Sequence, residues 1–242
     1  MDLWGITDTG SVRSQNQDYY YMELVEPGVA VAIVCDGMGG AKSGNIASRL
    51  AVDTFLSAMR SSPLERWRTE PEAVLASAAD QANEVVHYRA GIDPNCRGMG
   101  TTMVAALVIG DTAYLLNIGD SRAYLVREDG IARITRDHAV VVALVARGEI
   151  TPEQARQHPQ KNLITRALGS EAKVRADLFR QKLSSGDVLL LCSDGLVNMV
   201  SDQELLYEVI HGGAIEDCCR RLLDMTLSRG APDNVTIVLL QM

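Results

Sequence analysis

No apolar run in this chain exceeds the length of a β-strand, so nothing in it reads as a membrane-spanning helix and no membrane partner is expected. No basic segment leads into an apolar one near the start, where Met1, Asp2 and Leu3 run directly into strand-like sequence. That argues against a secretory signal and predicts a cytoplasmic protein. Basic clusters are missing as well. Lys and Arg number 23 against 31 Asp and Glu, a net charge of −8, so a nucleic-acid partner is not expected. The five cysteines (Cys35, Cys96, Cys192, Cys218, Cys219) are odd in number and lack a Cys-x-x-Cys spacing, which predicts buried, reduced thiols. The four histidines (His87, His138, His158, His211) show no zinc-type spacing. With no repeat, low-complexity tract or linker, the 242 residues are expected to form one domain, 1–242.

What the chain does have is aspartate at the ends of apolar runs. The run 31–35 meets Asp36 and Gly37, the run 188–192 meets Asp194 and Gly195 one serine later, and the run 115–118 meets Gly119 and Asp120. Asp233 stands just before the run 235–240. One Asp-Gly after a strand is ordinary turn chemistry. Several carboxylates delivered by buried strands suit a hard cation such as Mg²⁺ or Mn²⁺, because the donors are all oxygen.

Around these residues the periodicity predicts strands at 3–7, 19–25, 29–35, 101–109, 112–118, 121–127, 130–135, 173–180, 187–193 and 234–241. It predicts two amphipathic helices after the third strand, with Pro63 and Pro71 in the link between them, and two more before the last strand. Thr151, Pro152 and Gln154 carry the signals of a helix start inside a polar segment, read as a flap over about 139–168. Hairpin-like strand runs with paired helices between them make an α+β layered fold with antiparallel sheets.

The glycines after Asp36 invite a phosphate-loop reading. It fails because Ala41, not glycine, precedes Lys42 and Ser43. The glycines suit close backbone approach instead, with a main-chain carbonyl free to join Asp36 on a metal. Arg13 and Asp18 share one polar segment before a strand, and a guanidinium there suits capture of a phosphate dianion.

Eight blocks then fall in one order: Arg13-x-x-Asn16-Gln17-Asp18, Asp36-Gly-Met-Gly-Gly40, Gly100-Thr-Thr102, Gly119-Asp-Ser-Arg122, Asp137-His138, Thr165-Arg-Ala-Leu-Gly169, Ser193-Asp-Gly195 and Asp233-Asn234. In these the chain resembles the bacterial branch of the metal-dependent Ser/Thr protein phosphatases (PPM family, type 2C). The resemblance implies a four-layer α/β/β/α sandwich, two antiparallel sheets flanked by helix pairs, with an inserted flap beside the active site. It implies that Asp36 bridges two Mg²⁺ or Mn²⁺ ions, assisted by the Gly37 carbonyl. Asp194 and Asp233 would complete the first ion, and Asp120 with Asp194 would hold a third, weaker one. Asp18 would stand behind these ligands, hydrogen-bonded to water at the ions, and Arg13 would bind the substrate phosphate. It also implies phosphoserine and phosphothreonine substrates in proteins, hydrolysed by a metal-activated water, a role opposite a bacterial Ser/Thr kinase, and a monomer.

This chemistry needs no protein nucleophile, and Ser193 is expected to be structural because no base partner accompanies it. Met38 and Ala41 stand where some members carry histidine, so no proton donor is assigned. A non-catalytic domain on the same fold and a hydrolase of other phosphoesters are the alternatives. Retention of Asp36, Asp120, Asp194 and Asp233 favours the enzyme over the first; the sequence does not separate it from the second.

Overall fold

The computed structural model describes residues 1–39 and 43–242, the side chain of Arg156 excepted. The phosphate-loop question at Gly40, Ala41 and Lys42, and the departure noted at Ala41, lie outside the described residues. The chain opens with β1 (Asp2–Asp8), β2 (Asp18–Glu26) and β3 (Val29–Met38). Helices α1 (Gly44–Arg60), α2 (Leu64–Thr69) and α3 (Pro71–Ile92) follow. Next come β4 (Gly100–Thr101), β5 (Met103–Ile109), β6 (Thr112–Ile118), β7 (Arg122–Arg127) and β8 (Gly130–Arg133). The flap segment carries α4 (Val140–Ala146) and α5 (Pro152–Arg156). The chain closes with β9 (Asp177–Lys182), β10 (Val188–Cys192), α6 (Asp194–Val197), α7 (Asp202–His211), α8 (Ile215–Ser228) and β11 (Val235–Gln241). Among the described residues no helix is long and apolar enough to cross a membrane.

The strands form two sheets, all neighbours antiparallel. One has the order β1-β11-β10-β7-β8 and the other β2-β3-β5-β6-β9, with β4 paired to β3. Alternation along β3 assigns its two faces. Val31, Ile33 and Cys35 pack with Phe55, Met59 and Leu75 of the α1–α3 layer. Ala30, Ala32 and Val34 pack with Val104, Leu191 and Val238 between the sheets. On the other side Leu190, Cys192, Ile237 and Leu239 pack with Leu205, Leu222 and Leu223 of α7 and α8. Each such large side chain stabilises the fold by roughly 1.5–3 kcal/mol on burial. The result is the α/β/β/α order expected, and all five cysteines are buried.

Three local expectations need correction. The link between the first helices holds a helix of its own, α2, pinned where the Trp67 indole N–H donates to the Met59 carbonyl at 2.9 Å. The strand expected over 101–109 breaks at Thr102. The Thr102 N–H donates to the Asp36 carbonyl, and its hydroxyl accepts from the Asp36 N–H. The strand expected at 173–180 forms at Asp177–Lys182; just before it, Asn83 of α3 donates to the Glu171 and Ala172 carbonyls and ties that loop to the helix layer.

Candidate metal centre

The layer between the sheets changes character at one end. Asp36 follows Ala30, Ala32 and Val34 at the period of two, and Asp18 precedes Tyr20 and Met22 in the same way. On the facing sheet Ser193 follows Leu189 and Leu191, and Thr236 precedes Val238 and Leu240. An apolar interface thus ends in hydroxyls and carboxylates drawn from both sheets.

Asp18 and Asp36 stand directly opposite each other in the β2–β3 register. Two like charges at that position repel, so this pairing opposes the fold. Burial first, then the carboxylates of Asp18, Asp194, Asp120 and Asp233, hold the Asp36 carboxyl well above its usual range. Burial pushes Asp18 up to about 7 against the pull of two hydroxyl donors, Ser193 Oγ and Thr236 Oγ1, each 2.7 Å from its Oδ2. Its Oδ1 is buried without a protein partner. Ser193 Oγ also accepts from the Thr236 N–H at 2.9 Å, so this serine is committed to the inter-sheet contact.

Asp194 is the first residue of α6. Its Oδ2 accepts from Asn198 Nδ2 at 3.0 Å and its Oδ1 is a second buried, unpartnered oxygen. Burial and Asp233 raise its pKa. Asp120 occupies the Gly119–Ser121 crossover from β6 in one sheet to β7 in the other. Burial, then Asp194 and Asp137, push it up to about 7. His138 fastens this crossover. Its Nδ1 accepts from the Gly119 N–H at 3.1 Å, and its own N–H donates to the Gly119 carbonyl at 2.9 Å. Its Nε2 lies 3.1 Å from both Asp177 Oδ2 and Arg166 Nη1.

Gly37 must be glycine. A side chain there would run into the Gly44 carbonyl at the start of α1 and the Gln17 carbonyl. The close approach suggested by the glycines is therefore found at Gly37 and Gly44.

Arg13 reaches the cluster from the loop between β1 and β2, and its Nη2 is 2.8 Å from Asp233 Oδ2. That ion pair, with the charges of Asp36 and Asp194, raises the Arg13 pKa. Asn234 holds the loop in place: Nδ2 donates to the carbonyls of Thr9 and Gln15, and Oδ1 accepts from the Gln17 N–H. Gly10, at φ +75°, crosses so close to the Asp233 carbonyl that no side chain fits. The sequence reading left Asn234 without a role and overlooked Thr236. The period of two marks Thr236 as an inward position, but nothing in the sequence marks the partners of Asn234.

The carboxylates of Asp18, Asp36, Asp120, Asp194 and Asp233 act on one another, and Arg13 is the cation on Asp233. Among the described residues no three acidic, imidazole or thiol side chains already stand as a closed ion cage. Two buried oxygens without partners, two acids opposed across a strand pair and an all-oxygen donor set fit one or more hard divalent cations.

Comparison with known proteins gives the same direction. The family model "Protein phosphatase 2C" matches residues 10–229. The protein phosphatase PhpP of Streptococcus pneumoniae is 36% identical over 242 residues, covering 100% of this chain and 98% of its own. The crystal structure of the serine/threonine phosphatase Stp1 from Staphylococcus aureus superposes with a TM-score of 0.93 at 36% identity, covering 100% of this chain and 94% of that one. The catalytic domain of the serine threonine protein phosphatase PstP, crystallised in complex with two manganese ions, superposes with a TM-score of 0.86 at 34% identity, covering 98% and 96%.

Proposed function

The chain belongs to the bacterial branch of the protein phosphatase 2C family, and we infer from this that it is a metal-dependent phosphatase of phosphoserine and phosphothreonine in proteins. The observation that carries the reading is the register partnership of Asp18 and Asp36, two carboxylates opposed beside Asp120, Asp194 and Asp233. That arrangement destabilises the fold unless positive charge enters it.

Asp36, Gly37, Asp194 and Asp233 are the residues proposed to hold two ions, Mn²⁺ or Mg²⁺, and Asp120 with Asp194 a third. When bound, such ions neutralise phosphoryl charge and make water a competent nucleophile near neutral pH. The side chains around them orient the reaction. Arg13, already aligned on Asp233, binds the equatorial phosphoryl oxygens and offsets the charge they gain during in-line displacement. Asp18 is fixed through Oδ2 by Ser193 and Thr236, which leaves Oδ1 to accept a hydrogen bond from water at the ions. Ser193 cannot serve as nucleophile while it donates to Asp18. The cysteines are buried, and burial pushes the thiols of Cys192 and Cys218 up to about 12, so neither of these two competes for the role as a thiolate.

We further propose that residues 1–242 act as one catalytic domain with its flap over about 139–168, as a cytoplasmic monomer opposing a Ser/Thr kinase. The test is turnover of a phosphothreonine peptide with Mn²⁺, with Mg²⁺ and in excess chelator. Turnover that needs either ion and disappears in chelator supports the reading; full turnover in chelator contradicts it.

A further inference from the structure

Beyond Asp120 and Asp194 the acidic centre opens into a cleft of about 910 Å³. One wall is apolar, formed by Val141 and Val145 of α4 and Ala155 of α5. The lining also includes Val197 to Glu204, from the end of α6 into the start of α7. A space of this size is in the range that accepts several side chains, far more than one phosphoryl group fills.

The cations along the cleft differ in how they are used. Arg122 and Arg133 are both committed to Asp137. Arg136 and Lys161 line the same cleft with no side-chain partner among the described residues. The Arg136 backbone is anchored where its carbonyl accepts from Asn117 Nδ2 at 3.1 Å, and its side chain is exposed. In the same lining Glu204 is taken by Arg229 and the Ser201 cap, and Asp202 sits at the positive end of α7. Neither pairs with Arg136 or Lys161. Elsewhere in the flap Arg147 and Glu149 pair with each other at 2.8 Å, and Arg166 pairs with Asp177 at 2.9 Å. Two uncommitted cations in a cleft that also has an apolar lining fit a carboxylate from outside the molecule.

We propose that this cleft takes the polypeptide flanking the phosphorylated residue, and that Arg136 and Lys161 select substrates carrying acidic side chains there. The inference rests on the reading of the chain as a protein phosphatase and goes further, because it names which phosphoproteins are preferred. The cleft is continuous with the acidic centre through Asp120 and Asp194, so a peptide whose phosphate lies at Arg13 and Asp36 can extend into it.

The experiment uses the Mn²⁺-loaded protein and three phosphothreonine peptides that differ only in the flanking residues, Glu, Gln or Lys, with an aryl phosphate alongside. kcat/KM for the Glu peptide should exceed that for the Gln peptide about two- to thirtyfold, the range for two solvent-exposed charge pairs, and the margin should shrink as salt is added. The Arg136→Glu, Lys161→Glu double variant should reverse the order and prefer the Lys peptide, a gain that misfolding cannot produce. Equal rates for the three peptides in the unaltered protein, or a variant that keeps the original order, would overturn the proposal while the phosphatase reading stands. Failure to hydrolyse any peptide or the aryl phosphate would overturn both. Should the double variant not fold, the single Arg136→Gln and Lys161→Gln variants decide: each should lower the Glu-to-Gln ratio, and an unchanged ratio in both overturns the proposal.

Discussion

Asp137 and Asp36 mark two acid-bearing regions that handle their charge in opposite ways. Asp137 is buried, and Arg122 grips it with Nε on Oδ1 at 3.1 Å and Nη2 on Oδ2 at 2.8 Å, while Arg133 adds a third contact at 3.3 Å. Both partners come from the chain itself. Asp36 instead faces Asp18 across a strand pair and shares its surroundings with Asp120, Asp194 and Asp233, with Arg13 ion-paired to Asp233 and the charge of Arg122 reaching Asp120 and Asp194. The first region is a finished ion pair. The second is an electrostatic cost that a purely structural sandwich has no reason to carry, and the divalent cations proposed for it would supply what it lacks.

The comparison breaks most visibly if Asp36 is neutralised. Asp36→Asn should lower phosphopeptide turnover by at least about 10³-fold, since even one lost preorganised electrostatic contact costs roughly 10²–10³. Steady-state rates in saturating Mn²⁺ measure it; a variant within tenfold of the parent would remove Asp36 from the centre. Neutralising the other region should spare chemistry and cost stability. Asp137→Asn leaves Arg122 without its anion and should destabilise the fold by about 3 kcal/mol, the low end for breaking a buried pair because both arginines keep some solvent contact. Denaturant unfolding reads this out, and an unchanged midpoint would mean that the ion pair is idle.

Much of this contrast was legible before any coordinates. Strand-end aspartates and the period of two suffice to put Asp36 at the end of a buried strand. Other parts were not legible because they depend on which strands meet. β6 and β7 are consecutive in the chain, yet they lie in different sheets, so Asp120 stands on a crossover where the sequence suggests a continuing run of strands. The Asp18–Asp36 register, the Asn234 contacts over 217 to 225 residues of separation and the two arginines on Asp137 are long-range products of packing. α2 escaped notice because a six-residue helix between two prolines has too few residues to show a period.

A third substitution sharpens the role of the arginine paired with Asp233. On its proposed role, Arg13→Ala would remove a charge-assisted contact to phosphate, worth about 1.5–3 kcal/mol, so kcat/KM should fall roughly 10- to 100-fold. The loss should appear mainly in KM. Unchanged kinetics would leave Arg13 as a partner of Asp233 alone.

The smallest effect is one of pH. Asp18 and Asp120 are pushed up to about 7 in the folded chain from the ordinary 3.8, and Asp36 and Asp194 are raised too. A carboxyl whose folded pKa is raised binds more protons folded than unfolded. Its contribution is therefore fully present below about pH 4 and is lost as pH rises through about 7. In chelator the protein should lose thermal stability steadily from about pH 4 to pH 7. A melting temperature that rises across this window would mean that the carboxylates are not in conflict.

The most direct test compares melting temperatures of the parent and Asp36→Asn at pH 7.5, each in chelator and in Mn²⁺. In chelator the variant should melt above the parent by about 2–4 °C, the shift that ~1 kcal/mol makes in a chain of this size. In Mn²⁺ the order should reverse, because ion binding stabilises only the protein that keeps the ligand. A parent that melts above the variant in chelator, or that gains nothing from Mn²⁺, would contradict the claim that this cluster is held in the fold for divalent cations.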